Sequence, residues 1–395
     1  MKKIFISCLI MTLMLTNISL VNISSVQAAT TDNVVTTTEN TIKISLDNIR
    51  DIVIENNLDL KIADNNLKIT KEKRDDAKST YEGKTEPTDS DKPQSSDSKY
   101  ATDDANHTAY NADKAVYDKS VTDYNAAKKD YETTKNNYKT AKTNYDQKVE
   151  SVVYSAQTAY LNYLSDLATQ KLNEDTVKTN EKEAKVYKLQ YDSGFISKNT
   201  YIDNLQKNTS VNDLNSSKDK VELERIQLCN TLGISPEEKM IFNTEINEDF
   251  QVISKINYEN DLNQMLDNNF DIKDKNDAID DLDDEKDDDT DIYDYNVDNA
   301  EISLKQAINT AETDFKGKYN DLITSYNSIK SSYDVIIQEQ KEYQVTQTQY
   351  DYGFISQNGL DAKKLKLDTD IASFIKSRNS CYLLYLKYIE MKEGY

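Results

Sequence analysis

The sequence is short of residues that bend or end a helix, with seven glycines and three prolines in 395 residues. Average usage would supply roughly four times as many glycines. Pro87 and Pro93 lie close together and Pro236 stands alone. So few interruptions imply few turns, and very long helices are expected. Histidine is scarcer still. The single His107 sits in a polar segment without a partner, and no glycine-rich phosphate loop, nucleophile elbow or metal-spaced cluster occurs. No catalytic residue, enzymatic activity, metal site or cofactor is therefore expected. Of three cysteines, Cys8 falls in an N-terminal apolar run. Cys229 and Cys381 lie in apolar helical contexts, where unpaired packing residues are favoured over a disulfide.

Positive charge is also lacking, with 48 basic against 70 acidic residues and a net charge of −22. Such acidity argues against nucleic acid or anionic membranes as partners, since both need clustered Lys and Arg. At 37% hydrophobic the chain is too polar for one thick core, so its helices should form thin layers. Lys2 and Lys3 precede an apolar run from Ile4 to Val21, and Val26-Gln27-Ala28 offers small residues at a cleavage site. Residues 1–28 read as a signal peptide followed by a flexible segment, 29–44, and the expected destination is the cell envelope or the exterior. Thr16, Asn17 and Ser19 interrupt the run, which argues against a membrane anchor.

Tyr110, Tyr117, Tyr124, Tyr131, Tyr138 and Tyr145 recur every seven residues, with Ala127, Thr134 and Ala141 three residues after the ring in successive heptads. Large and small residues in this alternation form a coiled-coil seam within a long helix from about Ser98 to Asp192. Two stretches then recur. Asn56-Asn57-Leu58-Asp59-Leu60-Lys61 matches Asn268-Asn269-Phe270-Asp271-Ile272-Lys273, and QYDSGFIS from Gln190 matches QYDYGFIS from Gln349. The spacing predicts a tandem duplication: a first helical repeat over 45–233, a connector over 234–257 and a second repeat over 258–395. Each repeat holds a shorter helix, a polar interruption (83–99, then 280–296), a long helix, the octapeptide and a further helix from Thr200 or Asn358. The acidic stretch Asp280–Asp291 lacks the glycine and terminal Glu of an EF-hand and reads as a solvated loop.

Within the octapeptides, Gly194 and Gly353 can take the left-handed conformation that closes a helix. Asn199-Thr200 with Asp203, and Asn358 with Asp361, supply cap residues for the next helix. Each GFIS is thus the turn of an antiparallel hairpin. Gly194, Phe195, Ile196, Ser197, Gly353, Phe354, Ile355 and Ser356 form a candidate docking surface, because a purely structural turn does not require an exposed Phe-Ile-Ser.

The pattern resembles the TolC family of outer-membrane efflux ducts. Ser45-Leu46-Asp47 to Leu67 is similar to the family's opening helix, with Leu58 in place of its usual proline. Tyr191–Asp203 and Tyr350–Ala362 resemble its Tyr-x-x-Gly-x-x-Ser turn, and Leu232-Gly233 its Leu-Gly close of the first half. The resemblance implies an all-α protomer of two long antiparallel hairpins, three of which pool into a hollow tube. It further implies that the glycine turns meet a periplasmic-adaptor-like membrane fusion protein linked to an inner-membrane transporter. Family members carry acidic residues at the constriction. Here the commonest acidic position, six after the glycine, is Thr200 or Gly359, leaving Asp203 and Asp361 as candidates. Family members also insert two membrane β-strands in each half, whereas residues 82–99 and 280–291 lack the alternation that such strands need. Little or no β-barrel is therefore expected. A structural or adhesive coiled-coil protein of the cell surface is the competing reading.

Overall fold

A computed structural model describes residues 41–101, 107–206, 210–244, 250–284 and 291–395. The expected signal peptide lies outside the described residues. In chain order the elements are strand β1 (Ile42–Ile44), helices α1 (Ile49–Asn56), α2 (Leu58–Glu82), α3 (Thr108–Asp192), α4 (Lys198–Gln206) and α5 (Ser210–Leu232), then strand β2 (Met240–Phe242). Helices α6 (Gln251–Ser254), α7 (Tyr258–Asn268), α8 (Phe270–Asp284), α9 (Asp291–Asp351) and α10 (Gln357–Lys392) follow. Among the described residues, β1 and β2 are the only strands, paired in parallel with Ile42 beside Met240 and Ile44 beside Phe242. The fold is all-α, and no described helix is long and apolar enough to cross a membrane.

Among the described residues, 58–151 form one compact unit, and 41–57 with 152–395 form the other. In the first, α2 runs antiparallel to the start of α3. Arg74 stacks 4.4 Å over Tyr138, while Tyr81 meets Tyr131 at 5.7 Å and Tyr124 at 5.4 Å. The tyrosine ladder is thus a packing seam, meeting α2 at Tyr124, Tyr131 and Tyr138 and the connection after α2 at Tyr110 and Tyr117. The connection after Glu82 contains two 3-10 turns, Asp89–Asp91 and Ser98–Tyr100.

In the second unit, α9 and α10 form a hairpin along two facing heptad rows. Phe315, Leu322, Ile329 and Ile336 line one side, and Leu360, Leu367, Phe374, Cys381 and Tyr388 the other, all buried. The pairs run in opposite directions, Phe315 stacking on Tyr388 and Tyr333 facing Phe374. Each such side chain contributes about 1.5–3 kcal/mol by leaving water. The second hairpin joins the end of α3 to α4 and α5. Lys220 Nζ donates to Asp166 Oδ1 at 2.7 Å, and Asn173 Nδ2 to the Asp213 carbonyl at 3.2 Å. The strand pair lies beside this hairpin, where Phe242 packs on Tyr163 and the buried Tyr160 hydroxyl donates to the Asn243 carbonyl. Cys229 and Cys381 are both buried, with no disulfide between them.

Several expected boundaries move. Residues 42–44, expected to be flexible, are strand β1 with Ile44 fully buried. The long helix starts at Thr108 rather than Ser98. The acidic interruption is narrower than 280–296, because α8 reaches Asp284 and α9 begins at Asp291. Each opening helix also breaks once, at Asn57 (ψ 126°) and at Asn269 (ψ 123°).

A glycine packs against each of these breaks. Gly233 and Gly394 close α5 and α10 at φ +74° and +95°, and a Cβ there would lie 2.3 Å from the carbonyl oxygens of Asn56 and Asn268 respectively. Only a residue without a side chain admits both the backbone conformation and the contact. At Gly194 and Gly353 (φ +76° each) a Cβ would meet nothing within 4 Å. Gly194→Ala and Gly353→Ala should therefore cost only the left-handed strain, about 1–2 kcal/mol. Gly233→Ala and Gly394→Ala should cost about 3 kcal/mol or more, adding the clash to that strain. Urea denaturation followed by helical circular dichroism measures the difference, and equal losses in the two pairs would refute this account.

Candidate functional site: the two hairpin turns

Both GFIS segments turn the chain by one geometry. The Gly194 amide donates to the Tyr191 carbonyl (2.9 Å) and the Phe195 amide to that of Gln190 (2.8 Å). Gly353 and Phe354 repeat this with Tyr350 and Gln349, both at 2.8 Å. These paired bonds satisfy carbonyls that the ending helix leaves open. The next helix begins at once, its first-turn amides capped by serine. Ser197 Oγ accepts from the Thr200 amide at 3.1 Å, and Ser356 Oγ from the Gly359 amide at 3.3 Å. The caps are thus the serines of GFIS, and not Asn199-Thr200 or Asn358 as expected from sequence. That role accounts for Ser197 and Ser356 without any partner.

The apolar residues of the turns divide in two. Ile196 and Ile355 are half-buried and seal the hairpin ends, whereas Phe195 is 82% exposed and Phe354 80%. Tyr352 is similarly open, and its ring lies 6.5 Å from that of Phe354. An exposed phenylalanine at a helix close would normally fold back on the preceding turn. Here two of them stand in solvent.

The packing of α10 on α3 brings the turns to one end of the unit. Lys182 Nζ donates to Asp361 Oδ2 at 3.0 Å, about ten residues from either glycine. Further along, Asn379 Nδ2 donates to the Leu161 carbonyl (3.1 Å) and Ser165 Oγ (3.0 Å), and Lys387 lies 5.5 Å over Tyr154. The partners run in opposite order, so the helices are antiparallel and the end of α3 lies beside the start of α10.

Of the two acids singled out as a constriction, Asp203 is exposed. The Asp361 side chain is 11% exposed, and it accepts from both Lys182 and Gln357 Nε2. Sequence reasoning missed that tie, and also Arg378-Asn379, a polar pair buried on the packed side of α10. Burial pulls the Arg378 guanidinium down to about 10, and it donates to Asn379 Oδ1 at 3.1 Å.

No family model matches the sequence, and no curated protein matches it. Solved structures do. The outer membrane protein VceC of Vibrio cholerae superposes with a TM-score of 0.55 at 11% identity, covering 88% of this chain and 96% of its own. A membrane protein from Pseudomonas aeruginosa gives 0.55 at 11% identity over 93% and 96%, and the Campylobacter jejuni outer membrane channel CmeC gives 0.55 at 12% over 88% and 85%. The chain has a TolC-like fold. Unlike a TolC-like channel with membrane strands, it carries none in the described part of either interruption: 3-10 turns occupy the first, and helices extend into the second.

Just behind the second turn, charge holds the TolC-like hairpin together. Glu339, only 8% exposed, accepts from Lys363 Nζ at 2.8 Å and from Lys366, and Glu342 accepts from Lys363. Hydrogen bonds from Lys363 are the chief cause holding both carboxyls below their ordinary value of 4.5. A carboxyl depressed on folding contributes stability above its unfolded value, and loses it as pH falls through the folded one. Glu339→Gln should accordingly lower the melting temperature at neutral pH, and the gap to the parent should close on acidification below 4.5. Thermal melts across that range provide the check. A gap that persisted in acid would show that the charge is not responsible.

Proposed function

We propose that the protein is a non-enzymatic conduit component of the cell envelope, in which three copies close their hairpins into a helical tube. The exposed turns dock a membrane-fusion adaptor that links the tube to a transporter. The observation that carries this reading is the placement of Phe195 and Phe354 at the same end of one helical layer, both open to solvent. Paired aromatic residues on rigid turns suit a protein partner, since apolar groups at an exposed end are costly without one. Lateral assembly draws support from apolar stripes left exposed on helices. Leu58, Ile62 and Ile69 share one face of α2, and Ile292, Tyr295 and Ile302 one face of α9. The TolC-like fold supports the same architecture. The tandem duplication is supported by matching asparagine breaks and matching glycine closes in the two halves.

The test has two arms. Light scattering of the mature chain should return a trimer, and Gly194→Trp with Gly353→Trp should abolish pull-down of an adaptor encoded beside the gene while leaving helix content intact. A monomer or extended dimer whose adaptor binding ignores both substitutions would favour the surface coiled-coil reading instead.

A further inference from the structure

A cavity of 460 Å³ opens over α3 between α5 and α10, away from the turns. Its size lies within the range of small-ligand sites. The space exists because small residues occur where helices of this kind usually carry large ones: Ser165 and Thr169 on α3, Ser217 on α5 and Ser380 on α10. Asn379, 2% exposed, forms part of the floor and fixes the spacing of α3 and α10 through its bonds to Leu161 and Ser165.

The hydroxyls are oriented by their own helices. Ser165 Oγ donates to the Leu161 carbonyl (2.8 Å), Thr169 Oγ1 to that of Ser165 (3.0 Å) and Ser217 Oγ to that of Leu214 (2.8 Å). A hydroxyl has one proton to give. All three therefore face the cavity as acceptors, beside the carboxylates of Asp166 and Glu224. Among the described residues lining this side the cation is Lys220, engaged by Asp166 at 2.7 Å. The α3–α5 wall is thus acceptor-rich and carries one negative charge in excess. Across the opening, on α10, stands Lys376, exposed and with no ion pair among the described residues.

A pocket negative on one wall and positive on the other fits a ligand with both charges. We propose that this cavity binds free amino acids or short unblocked peptides, the ammonium group against the α3–α5 wall and the carboxylate against Lys376. An ammonium group has three protons to donate, which the oriented hydroxyls and Glu224 can accept, while the carboxylate accepts from the lysine. A purely apolar ligand would leave these groups unpaired and is disfavoured.

The proposal does not depend on assembly or on adaptor docking, and it is tested on the full mature chain by calorimetric titration with triglycine. Triglycine should bind saturably, and N-acetyl-triglycine amide, lacking both charges, at least about tenfold more weakly. Glu224→Gln and Lys376→Gln should each weaken triglycine about fivefold or more, Lys376→Gln removing the preference for a free carboxylate. Ser380→Phe should fill the cavity and abolish binding. Circular dichroism reports whether each variant keeps its helices, and Gly194→Trp should bind triglycine like the parent. Absence of saturable binding to the folded parent, equal binding of the blocked peptide, or indifference of folded Glu224→Gln and Lys376→Gln chains would each overturn the proposal.

Discussion

Two long helices joined by one apolar seam can slip by a heptad and still bury similar side chains, so a seam alone does not fix how they pair. Here the turn does. Only residues 352–356 separate α9 from α10, with Gly353 at φ +76° and Ser356 capping the next helix. A seven-residue slip would move one helix about 10 Å along the other, more than so short and so fully bonded a connection can absorb. The register that follows sets Phe315 against Tyr388 and Glu339 against Lys363 and Lys366. The charge ties stabilise the hairpin where its apolar seam nears the turn, and they are available only in this register.

Between hairpins the specification is polar. An apolar face between α3 and α10 would tolerate many offsets, whereas the buried Asn379 can satisfy its amide only opposite Leu161 and Ser165. A buried polar group left unpaired costs more than the same group paired returns, so such contacts reject wrong registers more than they add stability. Arg378 extends the argument, since a charge buried beside the same amide is tolerated only where that amide is held in place. The tie between Lys182 and Asp361 repeats the constraint nearer the turns. Level placement of the two glycine turns is thus a consequence of matched polar groups some distance behind them.

How much of this could be read from the sequence depended on the signal. The hairpins were legible because glycine is scarce, so that two glycines in matching octapeptides could hardly be incidental. The tyrosine ladder was legible because its period is strict and its residues are alike. The corresponding rows of α9 and α10 share the same period but mix Phe, Leu, Ile, Cys and Tyr, which conceals it. The breaks at Asn57 and Asn269 lie against glycines 176 and 125 residues further on, a contact no local signal marks, although Asn269 also caps the helix after it by accepting from the Ile272 amide at 3.0 Å. Strands of three residues are too short to show alternation. Asp361 read as a helix-capping or constriction acid because its partner, Lys182, belongs to a helix 179 residues away in sequence.

The same reasoning bears on an identity near 11% over most of the chain. A seam of period seven constrains about two positions in seven, and those by size and polarity more than by residue type. Turn glycines add a few fixed positions, and polar ties a few more, which need only be complementary within one chain. A fold specified in this way can lose nearly all residue identity while its register survives. It can also lose a segment inserted between helices without disturbing them. The connection between α2 and α3 touches only the first rungs of the seam, through Tyr100 on Tyr110 and the Thr88 carbonyl on Tyr117. Membrane strands could be present or missing at that place with the hairpin ends unchanged, which is why the described part of each interruption can lack strands in a chain that otherwise keeps the TolC-like pattern.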